Sequence, residues 1–146
     1  MTYTAFFKQF IRAEIEIWNS LSDHLKAEVG ISLAQLQALV AIDKFDGAAR
    51  VQDISEDVVI TVGATSKLVD RLERDGHAER QSNPNDRRSS IVVLTPAGRR
   101  SLDAGVLAAE RHLREILGDS ISALRASELT EQLAALRAHI ATGVGE

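Results

Sequence analysis

The chain contains no cysteine, which excludes a disulfide framework, a thiolate metal site and a thiol-based redox switch. Only two prolines and 4% aromatic residues occur among its 146 positions. Scarce proline leaves long helices uninterrupted, and the abundance of alanine, leucine, glutamate and arginine favours a mainly helical fold with one substantial core. No apolar run approaches the roughly 18 residues of a membrane span. The opening MTYTAFFKQFIRAEIEIW interleaves charge with its apolar residues, so no export signal is read there and a cytoplasmic protein without a membrane partner is expected. Catalytic signatures are missing too: there is no GxSxG elbow, no HExxH and no GxGxxG after a strand. The run Gly63-Ala64-Thr65-Ser66-Lys67 has the residues of a phosphate loop without its spacing. Neither enzyme activity nor a cofactor is expected. His24, His77, His112 and His139 do not pair at ligand spacing, since Ala108 and Ile116 occupy the positions four residues from His112, so no metal site is expected.

What the chain does have is helical periodicity. Phe7, Phe10, Ile11, Ile15, Trp18, Leu21 and Leu25 predict a first helix over about 4–28, ended by Gly30. Ser32 with Gln35 makes a capping-box pattern for a second helix striped by Leu33, Leu36, Leu39, Val40 and Ile42. Val51, Ile54 and Val58 mark a short third helix, and Thr61 caps a fourth that stops at Gly76. Leu102, Val106, Leu113, Ile116 and Leu117, then Leu129, Leu133, Leu136 and Ile140, mark two more.

Between the fourth and fifth helices lies AERQSNPNDRRSSIVVLTPAG, residues 78–98. Pro84 suits the second position of a tight turn, Asn83 and Asn85 favour reversal, and Asp86 can bond its own backbone. Ile91 to Leu94 read as a mostly buried return strand, and Thr95-Pro96 as a helix cap followed by a first-turn proline. The result is a β-hairpin with Arg87 and Arg88 near its tip.

Net charge is −4, but it is unevenly distributed. Residues 61–100 carry eight cationic against five anionic side chains, and the rest nine against sixteen. A cationic centre in an acidic frame fits a nucleic-acid reader with a separate scaffold. The third and fourth helices read as a helix-turn-helix. On the fourth, Val62, Thr65, Leu68, Val69 and Leu72 share one side, leaving Gly63, Ser66, Lys67, Asp70 and Arg74 on the other. Gly63 and Ala64 permit close approach, Thr61 with the free N–H groups can hold a phosphate, and Ser66 and Lys67 can reach base edges. With the hairpin as a wing, the DNA-binding candidates are Thr61, Gly63, Ala64, Ser66, Lys67, Arg71, Arg74, Asn85, Arg87 and Arg88. The expected order is α1-α2-α3-α4-β-hairpin-α5-α6, a winged helix-turn-helix. The apolar stripes of the terminal helices exceed what the central module can cover, which points to a two-fold dimer.

These residues resemble the MarR family of transcriptional regulators. The resemblance rests on Leu68-Val69-Asp70-Arg71-Leu72-Glu73 with Gly76, then Arg80, then Asp86-Arg87-Arg88 leading through Val92 to Leu94-Thr95 and Gly98. It implies one MarR-type domain over 1–146, with a DNA-binding module at 32–98 and dimerisation helices at 1–30 and 99–146. It also implies a homodimeric repressor, or less often an activator, on a pseudo-palindromic operator in double-stranded DNA, usually released by a small, aromatic or phenolic ligand. Arg88 is implied to enter the minor groove, whose negative potential attracts a guanidinium. Arg87 is read as a phosphate contact, and Asp86 is implied to brace the wing by ion pairing with Arg71 or Arg88. Trp18 lines either a ligand pocket or the dimer core, and the ligand itself is unassigned. A metal-responsive or ligand-independent regulator of the same fold, and a helical protein-interaction module, are the alternatives.

Overall fold

The computed structural model describes residues 2–143; position 1 and positions 144–146, at the ends of the expected domain ranges, lie outside them. Six helices and one antiparallel hairpin follow the expected order: α1 (Tyr3–Glu28), α2 (Leu33–Lys44), α3 (Val51–Val58), α4 (Val62–Arg74), β1 (Ala78–Ser82), β2 (Ser90–Leu94), α5 (Pro96–Leu117) and α6 (Ala123–Ala141). The chain divides into two compact units, Met1–Glu110 and Arg111–Glu146.

Local chemistry sets the boundaries in the first unit. Gln35 N–H donates to Ser32 Oγ at 3.1 Å and Ser32 N–H to Gln35 Oε1 at 2.9 Å, the reciprocal box that opens α2. The Asp53 carboxylate does similar work for α3, accepting from the Arg50 backbone N–H at 2.9 Å and from its guanidinium at 2.8 and 3.0 Å. Thr61 Oγ1 accepts from Ala64 N–H at the start of α4. Leu25, Ile31, Leu39, Ile42, Ile54, Val69, Leu72 and Val92 are fully buried, so the core is assembled from α1, α2, α3, α4 and β2. Thr65 is fully buried among them, and its hydroxyl is satisfied by donating to Thr61 O at 2.9 Å.

Two apolar expectations need correction. Val40 and Val62 are exposed: Val62 occupies the first turn of α4, at the edge of the buried set Thr65, Leu68, Val69 and Leu72. In β2 only Val92 is fully buried; Ile91, Val93 and Leu94 are half-buried, since among the described residues no second sheet is stacked on the two-stranded wing. Val92 also donates its N–H to Ala49 O at 2.7 Å, which anchors the hairpin to the segment before α3.

The turn between α3 and α4 is strained. Val59, its first residue, has φ +58° and ψ +45°, a left-handed conformation in which a β-branched side chain crowds its own backbone. Val59→Gly is therefore expected to stabilise the protein by about 1 kcal/mol, measured by chemical denaturation; an unchanged or lower midpoint would contradict the strain.

Arg99 joins α5 to α2 by donating to Asp43 at 2.5 Å. That hydrogen bond, reinforced by the guanidinium's charge, holds the Asp43 carboxyl below its ordinary pKa. A depressed folded-state pKa gives stability that is fully present above the unfolded value of about 3.9 and lost as pH falls through the folded value. Asp43→Asn should thus lower the melting temperature slightly at pH 7, and the difference should vanish in acid. A gap that persists at the acid end would contradict the linkage.

In the second unit, Ser122 caps α6 by accepting from Arg125 N–H at 3.3 Å. Leu124, Leu129, Leu133, Leu136 and Ile140 are all exposed along that helix. On α1, Phe6, Phe7, Phe10, Ile11, Ile15 and Trp18 are likewise exposed. Trp18 lies on the open surface of α1 beside Glu14, Ile15 and Asn19. No single helix among the described residues is long and apolar enough to cross a membrane.

Candidate nucleic-acid interface

The wing is built by two successive turns. Asp86 N–H donates to Asn83 O at 3.3 Å, closing a turn with Pro84 in its second position, and Ser89 N–H donates to Asp86 O at 3.2 Å. Side chains fix both. Asn83 Oδ1 accepts from Asn85 N–H at 3.0 Å, Asn83 Nδ2 donates to Ser89 Oγ at 3.0 Å, and Asp86 Oδ1 accepts from Arg88 N–H at 2.9 Å. Asp86 thus holds the tip through the Arg88 backbone. Its expected ion pair with Arg71 or Arg88 is not formed among the described residues; its charge adds, after those of Asp53 and Glu56, to the raised pKa of Arg50.

The residue that ties wing to helix is Arg80. Its guanidinium pairs with Asp70 at 2.8 Å and with Glu73, and lies 3.4 Å from both Ser66 O and Ser66 Oγ, while its backbone N–H donates to Glu73 Oε1 at 2.7 Å. One side chain on β1 therefore fastens three turns of α4. Arg80 stood in the sequence as part of a family pattern, but its partners lie 7, 10 and 14 residues away in another element, a spacing that carries no local signal.

The base of the hairpin is locked from the other side. Thr95 N–H donates to His77 O at 3.1 Å, Thr95 Oγ1 donates to Gly76 O at 2.6 Å and accepts from Gly98 N–H at 3.0 Å. The expected cap before Pro96 is thus also a strut across the hairpin ends. Gly98 sits so close that a Cβ there would meet His77 O at 1.8 Å.

This framework leaves a set of cations outward. Arg87 and Arg88 are exposed at the tip, lining an open groove of about 860 Å³ with Arg80, Gln81, Asn83 and Pro84. Among the described residues, no hydrogen bond or ion pair to protein engages the side chains of Lys67, Arg71, Arg87 or Arg88. Gly63, Ala64, Lys67, Arg71 and Asn85 are exposed, and Ser66 is half-buried against Arg80. Arg74 is exposed too, with its Nε 3.3 Å from Asp75, whose other oxygen accepts from Gln35 at 3.2 Å. Of the DNA-binding candidates, then, all but Thr61, Ser66 and Arg74 are free of side-chain hydrogen bonds and ion pairs to the protein among the described residues; Thr61 is committed to its capping bond.

The histidines lie apart in kind. His24 is 2.8 Å from Glu28, His77 is 3.2 Å from Ser101 Oγ, and His112 is 3.9 Å from Glu115. No group of three or more His, Asp or Glu side chains among the described residues converges as a metal site.

Residues 29–89, which span the helix-turn-helix and most of the wing, match the model of the MarR family. The chain is 30% identical over 115 residues to the uncharacterized HTH-type transcriptional regulator YdgJ of Bacillus subtilis, an alignment covering 79% of this chain and 69% of that one. Among solved structures it is similar to Sco3205 of Streptomyces coelicolor, a MarR family transcriptional regulator in complex with DNA, with TM-score 0.83, 21% identity, and coverage of 92% and 84%. It is also similar to CouR of Rhodococcus jostii RHA1 bound to p-coumaroyl-CoA, with TM-score 0.77, 17% identity, and 88% of each chain covered. These two likenesses establish the fold, a winged helix-turn-helix. Taken with the YdgJ alignment and the matched helix-turn-helix and wing, they lead to one conclusion: the chain belongs to the MarR family of transcriptional regulators.

Proposed function

We propose that the protein is a homodimeric repressor that binds a pseudo-palindromic operator in double-stranded DNA in the cytoplasm and is released by a small aromatic ligand. The observation that carries the DNA reading is the pairing of a Thr61-capped helix with a wing whose arginines are held outward by a rigid tip. In this reading the α4 surface formed by Gly63, Ala64, Ser66 and Lys67 enters the major groove, with Thr61 at a phosphate. Arg71, Arg74, Asn85 and Arg87 contact the backbone, and Arg88 enters the minor groove. Asp86 braces the tip.

Dimerisation through α1, α5 and α6 is supported by the exposed aromatic and aliphatic stripes on α1 and α6. The reading of release by a ligand is supported by a groove of about 420 Å³ on the α2 and α5 surfaces, with Val40, Leu102, Val106 and Leu107 as its apolar lining. Asp43, Asp103 and Glu110 at its rim would repel a carboxylate, so an uncharged aromatic suits it better than an acid.

Fluorescence anisotropy with a mixed-sequence duplex at several salt concentrations tests the DNA reading, alongside sedimentation of the free protein. Affinity should fall steeply with salt, by about 0.9 of a log unit per log unit for each phosphate neutralised, and the protein should sediment as a dimer. Salt-independent binding or a monomer at micromolar concentration would overturn the proposal.

A further inference from the structure

The leading end of α4 presents apolar rather than polar side chains to solvent. Val59 is 72% exposed, Ile60 41% and Val62 53%, and together they form a collar around the cap residue Thr61. The polar groups nearby are already used: Thr61 Oγ1 accepts from Ala64 N–H, the Thr65 hydroxyl is buried against Thr61 O, and Ser66 Oγ lies against Arg80. Between Thr61 and Lys67 there is no Asn, Gln, Arg or Lys, so the bidentate side chains that recognise guanine or adenine are missing from the first turn. Val59 moreover holds a left-handed backbone that disfavours valine while exposing its methyl groups, a combination that costs stability in the free chain.

We infer that this collar reads thymine, by packing the methyl groups of Val59, Ile60 and Val62 on thymine C5-methyl groups in the major groove. The inference rests on the DNA-binding reading above. The C5-methyl is the one apolar feature that a base edge offers in that groove, and it is the match for a β-branched apolar side chain. The occupant is nucleic acid rather than a protein because the collar is continuous with unpaired Lys67 on the same helix, and the wing adds Arg87 and Arg88, a setting that complements a polyanion.

The test uses full-length protein and a duplex enriched from random DNA, with each thymine in turn replaced by deoxyuridine, which removes only the methyl group. Uridine at one or two positions per half-site should weaken binding about three- to fivefold each, the value of burying one methyl. Val62→Ala should bind the thymine duplex more weakly and lose the thymine-to-uridine difference. Val59→Gly should do the same while melting at a higher temperature than the parent, which separates lost contact from lost fold. Unchanged affinity for every uridine duplex would overturn the collar while leaving DNA binding intact. Failure to bind any duplex would overturn the underlying reading instead.

Discussion

Gly98→Ala is expected to destabilise the protein by about 3 kcal/mol, the upper range for forcing an extra group into a packed backbone contact. The added Cβ would lie 1.8 Å from His77 O, and the obstacle is main chain, so no rotamer change relieves it. Either α5 retreats or β1 does. Both movements break the strut in which Thr95 links Gly76 O, His77 O and Gly98 N–H. For a chain of this length the melting temperature should fall by about 6–12 °C, and the wing base should lose amide protection first. A melting curve superimposable on the parent would contradict the tight approach. Gly105 offers a graded comparison, because its added Cβ would meet the side chain Leu36 Cδ1 at 2.7 Å, which can yield.

Arg88→Ala is expected to weaken operator binding by about 1–3 kcal/mol and to reduce the salt slope by about one phosphate, without altering the melting temperature. The side chain makes no contact that stabilises the free protein, since the tip is held by Asp86 through the Arg88 backbone N–H, which alanine retains. Arg80→Ala should behave differently. It leaves Asp70 without its ion-pair partner and strips Glu73 of its guanidinium, loosening the wing on α4, so stability and affinity should fall together. Lys26→Ala, on an exposed position of α1, serves as the control for general charge loss. If Arg88→Ala and Lys26→Ala weaken binding equally, the wing has no special role.

The contrast between those arginines shows what the sequence discloses. Interactions within about four residues were legible: the Ser32 and Gln35 box, the Thr61 cap, the Pro84 turn and the Thr95 cap are each written in adjacent residue types with a known local geometry. Interactions between elements were not. The Arg80 clamp depends on how β1 lies along α4, and the Ala49 contact with β2 is a single backbone bond that no side-chain pattern announces. Asp86 is legible as a turn residue, but the ion pair expected of it does not form, because a carboxylate at a tight tip satisfies itself first with the nearest N–H groups. Periodicity puts Val62 and Val40 on apolar faces, but it gives a residue's face and not whether anything covers that face. The exposed collar at Val59, Ile60 and Val62 is visible only once the turn has been placed.

Selection of bound duplexes from random DNA tests the central claim most directly. A winged helix-turn-helix dimer should enrich a two-fold symmetric sequence whose half-site centres lie about one helical turn, or 10 base pairs, apart. The same selection with Arg87 and Arg88 both changed to alanine should lose most of that enrichment. Recovery of unenriched, asymmetric sequence by the parent protein would contradict the assignment of α4 and the wing as a DNA-reading surface.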